Sequence, residues 1–121
     1  MIIGSILENQ NIEKRIAITT EVVKKYTSLG FEVCLIKNYG FHLGIKDEHY
    51  EDIGAKVLDQ ESEVLNSSDI IVQHGMLSDD KISNLKENQT IVGVLNPYNN
   101  KEKLESFSKK KINLFSLELL P

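Results

Sequence analysis

A helix that runs straight into a strand lies between Arg15 and Ile36: Arg-Ile-Ala-Ile-Thr-Thr-Glu-Val-Val-Lys-Lys-Tyr-Thr-Ser-Leu-Gly-Phe-Glu-Val-Cys-Leu-Ile. Thr19 stands where an N-cap hydroxyl belongs, Glu21 lies in the first turn against the positive end of the macrodipole, and Lys24 and Lys25 follow. Gly30 is the stop, at the position where a left-handed backbone costs glycine little. From Phe31 the pattern becomes a strand, and the apolar run Val33, Cys34, Leu35 and Ile36 suits one covered on both faces. A tight helix-to-strand connection is half of a parallel α/β unit, and parallel neighbours need crossover helices. That constrains the rest of the chain.

The rest agrees. Strands are predicted at Met1 to Ile6, Ala55 to Leu58, Ile70 to Gln73, Thr90 to Leu95 and Ile112 to Leu120. Between them come a short helix starting at Asp47-Glu48 and stopped by Gly54, a second from Gln60 to Asn66, and a third from Leu77 to Leu85 with Ser78 as its cap. A fourth runs from Lys101 to Lys109 with Leu104 and Phe107 as its inward face. This alternation predicts an α/β fold: a doubly wound, mostly parallel sheet with helices on both faces, flavodoxin-like or Rossmann-like. At 121 residues the chain is one domain's worth, residues 1–121.

Composition removes several classes of function. Eighteen acidic against fourteen basic residues leave a formal charge of −4, which argues against a nucleic-acid binder, and the one basic run, Lys109-Lys110-Lys111, reads as a solvated helix end. No apolar run is long enough to span a bilayer, and Met-Ile-Ile-Gly does not begin a secretory signal. Cys34, the single cysteine, sits inside an apolar strand and reads as a buried thiol. Gly40 and Gly44 match neither GxGxxG nor a P-loop. His42 and His49, even with Asp47 and Glu48, have no metal-ligand spacing.

In doubly wound sheets ligands bind beyond the carboxyl ends of the strands. The loops after Ile6, Ile36, Val72 and Leu95 therefore form the candidate site, with Glu8, Arg15, Gln73, His74, Asn96 and Tyr98 as its cleft-lining residues. Arg15 is either a clamp for a carboxylate or phosphate or a surface arginine paired with Glu13 or Glu8. His74 is either an acid or base group or a hydrogen-bonding loop residue, and Asn96-Pro97 reads first as a turn. No serine or cysteine nucleophile has a visible partner, so spacing alone yields no catalytic residue.

Resemblance carries the reading further. Ile3-Gly4, Glu8, Arg15-Ile16-Ala17-Ile18-Thr19 and Gly30-Phe31-Glu32-Val33 match, without a gap, the opening Ile-Gly-x-Pro-Lys-Glu, Arg-Val-Ala-x-Thr-Pro and Gly-x-Glu-Val of a known family. Gly40, Gly44, Asp47-Glu48, Tyr50 and Gly54-Ala55 continue the match through its glycine-rich loop and the motif after it. The chain thus resembles, end to end, the N-terminal domain shared by alanine dehydrogenases and the alpha subunit of proton-translocating nicotinamide nucleotide transhydrogenase. Alanine dehydrogenases carry a substrate-binding lysine and a catalytic histidine at two strand ends, where this chain has Gln73 and Asn96. Pro97, the Glu-Val-Val-Lys-Lys helix and the final Leu117-Glu118-Leu119-Leu120-Pro121 resemble the transhydrogenase branch. Three positions depart from the family: Thr20 for its proline, Ile6-Leu7 for its Pro-Lys, and Asn38 for its first loop glycine.

The resemblance implies a complete enzyme that moves hydride between NAD(H) and NADP(H), coupled to proton translocation, with this domain walling the NAD(H) cleft. NAD and NADP are its implied cofactors, with none expected for this chain alone, because the family's nucleotide-binding domain follows the final proline. The implied partners are the remainder of the alpha subunit, a beta subunit or membrane domain, and a second copy in a homodimer; neither nucleic acid nor direct membrane insertion is implied. The implied location is cytoplasmic, peripheral to the inner membrane. A divergent alanine dehydrogenase-like oxidoreductase and a free-standing non-catalytic interaction module are the alternatives.

Overall fold

A computed structural model describes residues 1–8, 15–75, 77, 81, 85–93 and 111–116. Six strands form one sheet: β1 (Ile2–Ser5), β2 (Glu32–Ile36), β3 (Lys56–Leu58), β4 (Ile70–Gln73), β5 (Thr90–Gly93) and β6 (Asn113–Ser116). Their order is β3-β2-β1-β4-β5-β6, and every neighbouring pair is parallel. That order is the Rossmann one and not the flavodoxin one, so the topology chooses between the two expectations. The switch point lies between β1 and β4, where the chain stops building outward on one side of β1 and begins on the other.

Three α-helices are described in full, α1 (Thr20–Ser28), α2 (Asp47–Asp52) and α3 (Glu61–Ser67), with a short 3-10 helix at Phe41–Leu43. The chain moves from β1 to β2 to β3 through α1 and α2, then doubles back to β4 through α3. Right-handed crossovers therefore put α1 and α2 on one face and α3 on the other. The local signals formed as read. Thr19 Oγ1 accepts the Val22 N–H at 3.3 Å, Glu21 occupies the first turn, and Val23 is the fully buried residue of α1. Gly30 follows at φ +92°, where its missing Cβ removes the strain.

The apolar run of β2 has the predicted cause. Val33, Cys34, Leu35 and Ile36 are all buried, because alternate side chains enter the two opposite helical layers. On the α3 side the approach is close: a Cβ at Gly4 would stand 1.8 Å from Ser68 Oγ and 3.3 Å from a Val64 methyl. The glycine of the Ile3-Gly4 motif is thus a packing requirement that lets the end of α3 sit on β1. Gln89, buried just before β5, ties the same helix end down by donating to the Ser68 carbonyl at 2.7 Å. The predicted helix from Lys101 to Lys109 and most of that from Leu77 to Leu85, Ser78 included, lie outside the described residues.

Candidate functional site

The site is built where β1 and β4 part. Their pairing covers Ile3 with Ile70 and Gly4 with Ile71. Beyond it the Gln73 side chain takes over the role of a strand backbone: its Oε1 accepts the Ile6 N–H at 2.7 Å and its Nε2 donates to the Ile6 carbonyl at 3.0 Å. Ser5 Oγ joins the seam, 2.6 Å from the Val72 carbonyl and 2.9 Å from Gln73 Oε1. Gln73 is 2 % exposed, and its amide belongs to this seam.

Two residues further on, Glu8 reaches across the switch point. One carboxylate oxygen accepts the backbone N–H of His74 at 2.5 Å and that of Gly75 at 3.0 Å. A pair of adjacent amides at a strand end is what an anionic ligand group uses in such folds, and here the chain's own carboxylate uses it.

A third arrangement holds the segment that carries Arg15. Residues 16–18 run outside any strand or helix, so their polar atoms need other partners. His74 Nε2 lies 3.1 Å from the Ile16 carbonyl, and since a carbonyl only accepts, that nitrogen carries the proton. The Tyr39 hydroxyl accepts the N–H groups of Ala17 and Ile18, both at 3.1 Å, and the Tyr50 hydroxyl donates to the Ile18 carbonyl at 3.0 Å. The two tyrosine rings meet edge to face, 6.0 Å between centroids. Burial pushes both phenols above their ordinary range, for Tyr39 against the opposing effect of its hydrogen bonds, so they stay neutral donors at physiological pH.

The sequence candidates thus separate. Glu8, Gln73 and His74 are brought together at the switch point, and Arg15 is exposed at the head of the segment that His74 helps to hold. Asn96 and Tyr98 lie outside the described residues. Ser5, Tyr39 and Tyr50 were not among the candidates, and Tyr39 stands in a loop that also holds Phe41, Leu43 and Ile45, so its aromatic ring did not set it apart. An open cleft of about 590 Å3 adjoins this edge at Leu7, lined also by Ile36, Lys37, Asn38, Asp59 and Lys81. Lys81 there is paired with Glu61 at 3.0 Å. His42 and His49 are exposed, and among the described residues no group of three or more His, Cys, Asp or Glu is placed to hold a metal ion.

The profile of the alanine dehydrogenase/PNT N-terminal domain matches residues 4–121. The chain belongs to that family. Among its relatives, the first of the polypeptides that make up the NAD(P) transhydrogenase alpha subunit of Rickettsia prowazekii (strain Madrid E) is 34 % identical over 126 residues, covering 100 % of this chain and 33 % of the relative. Alanine dehydrogenase 1 of Staphylococcus aureus (strain N315) is 28 % identical, across 99 % of this chain and 32 % of its own length. The crystal structure of transhydrogenase from Sinorhizobium meliloti superposes with a TM-score of 0.92 at 29 % identity, covering 100 % of this chain and 36 % of that one. An L-alanine dehydrogenase structure shares the fold, with a TM-score of 0.89 at 20 % identity over 96 % of this chain and 32 % of that one. This member of the alanine dehydrogenase/PNT family therefore spans about a third of the length of such relatives. No helix among the described residues is long and apolar enough to cross a membrane.

Proposed function

We propose that this chain is the N-terminal domain of a transhydrogenase alpha subunit whose complete form transfers hydride between NAD(H) and NADP(H), with this domain bounding one side of the NAD(H) cleft. One observation supports the role of wall over that of nucleotide holder. At the switch point of a Rossmann-ordered sheet, the turn after β1 is Ile6-Leu7-Glu8 with no glycine fingerprint, and Glu8 already occupies the amides of His74 and Gly75. These residues do not fit a dinucleotide pyrophosphate. The nucleotide then belongs to the portion of the subunit beyond this family domain, together with the beta subunit or membrane domain that couples the reaction to protons. The homodimer and the position at the cytoplasmic side of the inner membrane belong to the same proposal.

Within it, Glu8, Arg15 and His74 face the cleft, with Gln73 behind them keeping β1 and β4 in place. Hydride passes between two nicotinamides, so no side chain of this domain serves as acid or base. Titrating the isolated chain with NADH at micromolar concentrations tests the reading. A flat titration is expected, with saturable binding once the nucleotide-binding portion is joined and hydride transfer to NADP+ in the complete enzyme; saturable binding by the isolated chain overturns it. NADH oxidation by the joined protein that requires both pyruvate and ammonium would instead assign an alanine dehydrogenase.

A further inference from the structure

We propose that Tyr39 is a positioning residue for Arg15, its hydroxyl fixing the backbone from which that guanidinium is presented to the cleft. The inference rests on the reading of the carboxyl edge as a cleft wall. Its basis is the hydrogen-bond accounting at one oxygen. Tyr39 Oη has three neighbours: the N–H groups of Ala17 and Ile18, each at 3.1 Å, and Ser5 Oγ at 2.8 Å. Both amides can only donate, so the phenol proton goes to Ser5. Ser5 then sends its own proton to the Val72 carbonyl or to Gln73 Oε1.

The direction of every bond from the amides to Ser5 is thus fixed, and the relay joins the Arg15 segment to the seam between β1 and β4. A polar network with every member satisfied resists rearrangement, because moving one group orphans another in a buried place. The Tyr39 ring is 1 % exposed and held edge-on by Tyr50, so the hydroxyl has nowhere to swing. Tyr50 and His74 grip the carbonyls on either side of the two amides, at Ile18 and Ile16. Three consecutive residues directly after Arg15 are therefore held by side chains from three different regions of the fold. The geometry delivers the guanidinium from a backbone that stays in place when an anionic group arrives, the preorganisation that lowers the cost of binding.

Tyr39→Phe keeps the ring and removes the hydroxyl, and it is tested in the assembled subunit beside Arg15→Ala and the double variant. The readouts are the NADH dissociation constant from nucleotide fluorescence and the hydrogen-exchange rates of the Ala17 and Ile18 amides. Tyr39→Phe is expected to speed exchange at both amides and to weaken NADH binding about three- to tenfold, the span that one hydrogen bond is worth. In the Arg15→Ala background it should add no further loss, since a residue acting through another is non-additive with it. An unchanged dissociation constant, or an equal loss in both backgrounds, overturns the positioning role and leaves the cleft reading intact as long as Arg15→Ala itself weakens NADH. If Arg15→Ala binds NADH normally, the cleft reading of Arg15 fails and the proposal falls with it.

Discussion

The amide of Gln73 makes with Ile6 both hydrogen bonds that a neighbouring strand residue would make, at 2.7 Å to its N–H and 3.0 Å from its carbonyl. β1 and β4 are thereby held together two residues past the end of their backbone pairing, at the point where the sheet opens. The Glu8 loop leaves from there. A side chain of fixed length thus sets how far apart the two walls of the switch point stand.

Replacing Gln73 by methionine keeps much of the shape and removes both bonds. The Ile6 N–H and carbonyl are left buried without partners, so Gln73→Met is expected to destabilise the fold by about 2–4 kcal/mol, read from the urea midpoint at constant slope. A loss too small to measure would mean that water replaces the amide, and that the seam is not closed by this residue.

The resemblance to the family puts Asn38 in place of a loop glycine, and its backbone has φ +62°. Asparagine is among the non-glycine residues that tolerate this region, which explains how the loop keeps its shape without the glycine. The Asp47 carboxylate pins the turn by accepting the Asn38 N–H at 2.9 Å. Asn38→Gly should change stability by less than about 0.5 kcal/mol, whereas Asn38→Val should cost about 1–2 kcal/mol because a β-branched side chain is strained there. Equal thermal midpoints for the two variants would contradict that account.

High pH should loosen the domain through three buried groups. Burial pushes the Cys34 thiol and the Tyr39 and Tyr50 phenols up, favouring their neutral forms in the folded state. The stability they contribute is complete below the unfolded values, about 8.5 for a thiol and about 10 for a phenol, and is lost as pH rises through the higher folded ones. The urea midpoint is therefore expected to fall from about pH 9 upward, and less steeply in Tyr50→Phe, which has one phenol fewer to ionise. A midpoint that stays flat to pH 11, on the order of one unit above the free phenol value, would show that these groups titrate alike in both states.

What could be read from the chain was what neighbouring residues decide. The Thr19 cap and the Gly30 stop depend on contacts within a few positions, and the apolar run of β2 depends only on both sheet faces being covered. Those features carried the α/β alternation, and the edge on which Glu8, Gln73 and His74 meet followed from it. Gln73 nevertheless turned out to serve the strand seam, because a glutamine at a strand end looks the same whether its amide meets backbone or solvent. Ser5, Tyr39 and Tyr50 carried no local mark of their roles.

The sequence by itself determined the order of strands and helices, the ends of α1, the burial of β2 and the family, since each rests on short-range pattern or on the order of motifs. Tertiary structure alone decided the Rossmann strand order, the closing of the switch point by Glu8 over a separation of 66 residues, and the fixing of the Arg15 segment by Tyr39 and Tyr50 over 21 to 32. The physical reason is common to all three. Irregular backbone at a sheet edge must have its N–H and carbonyl groups satisfied, and the side chains that do so are chosen by proximity in the folded chain, which sequence spacing does not encode.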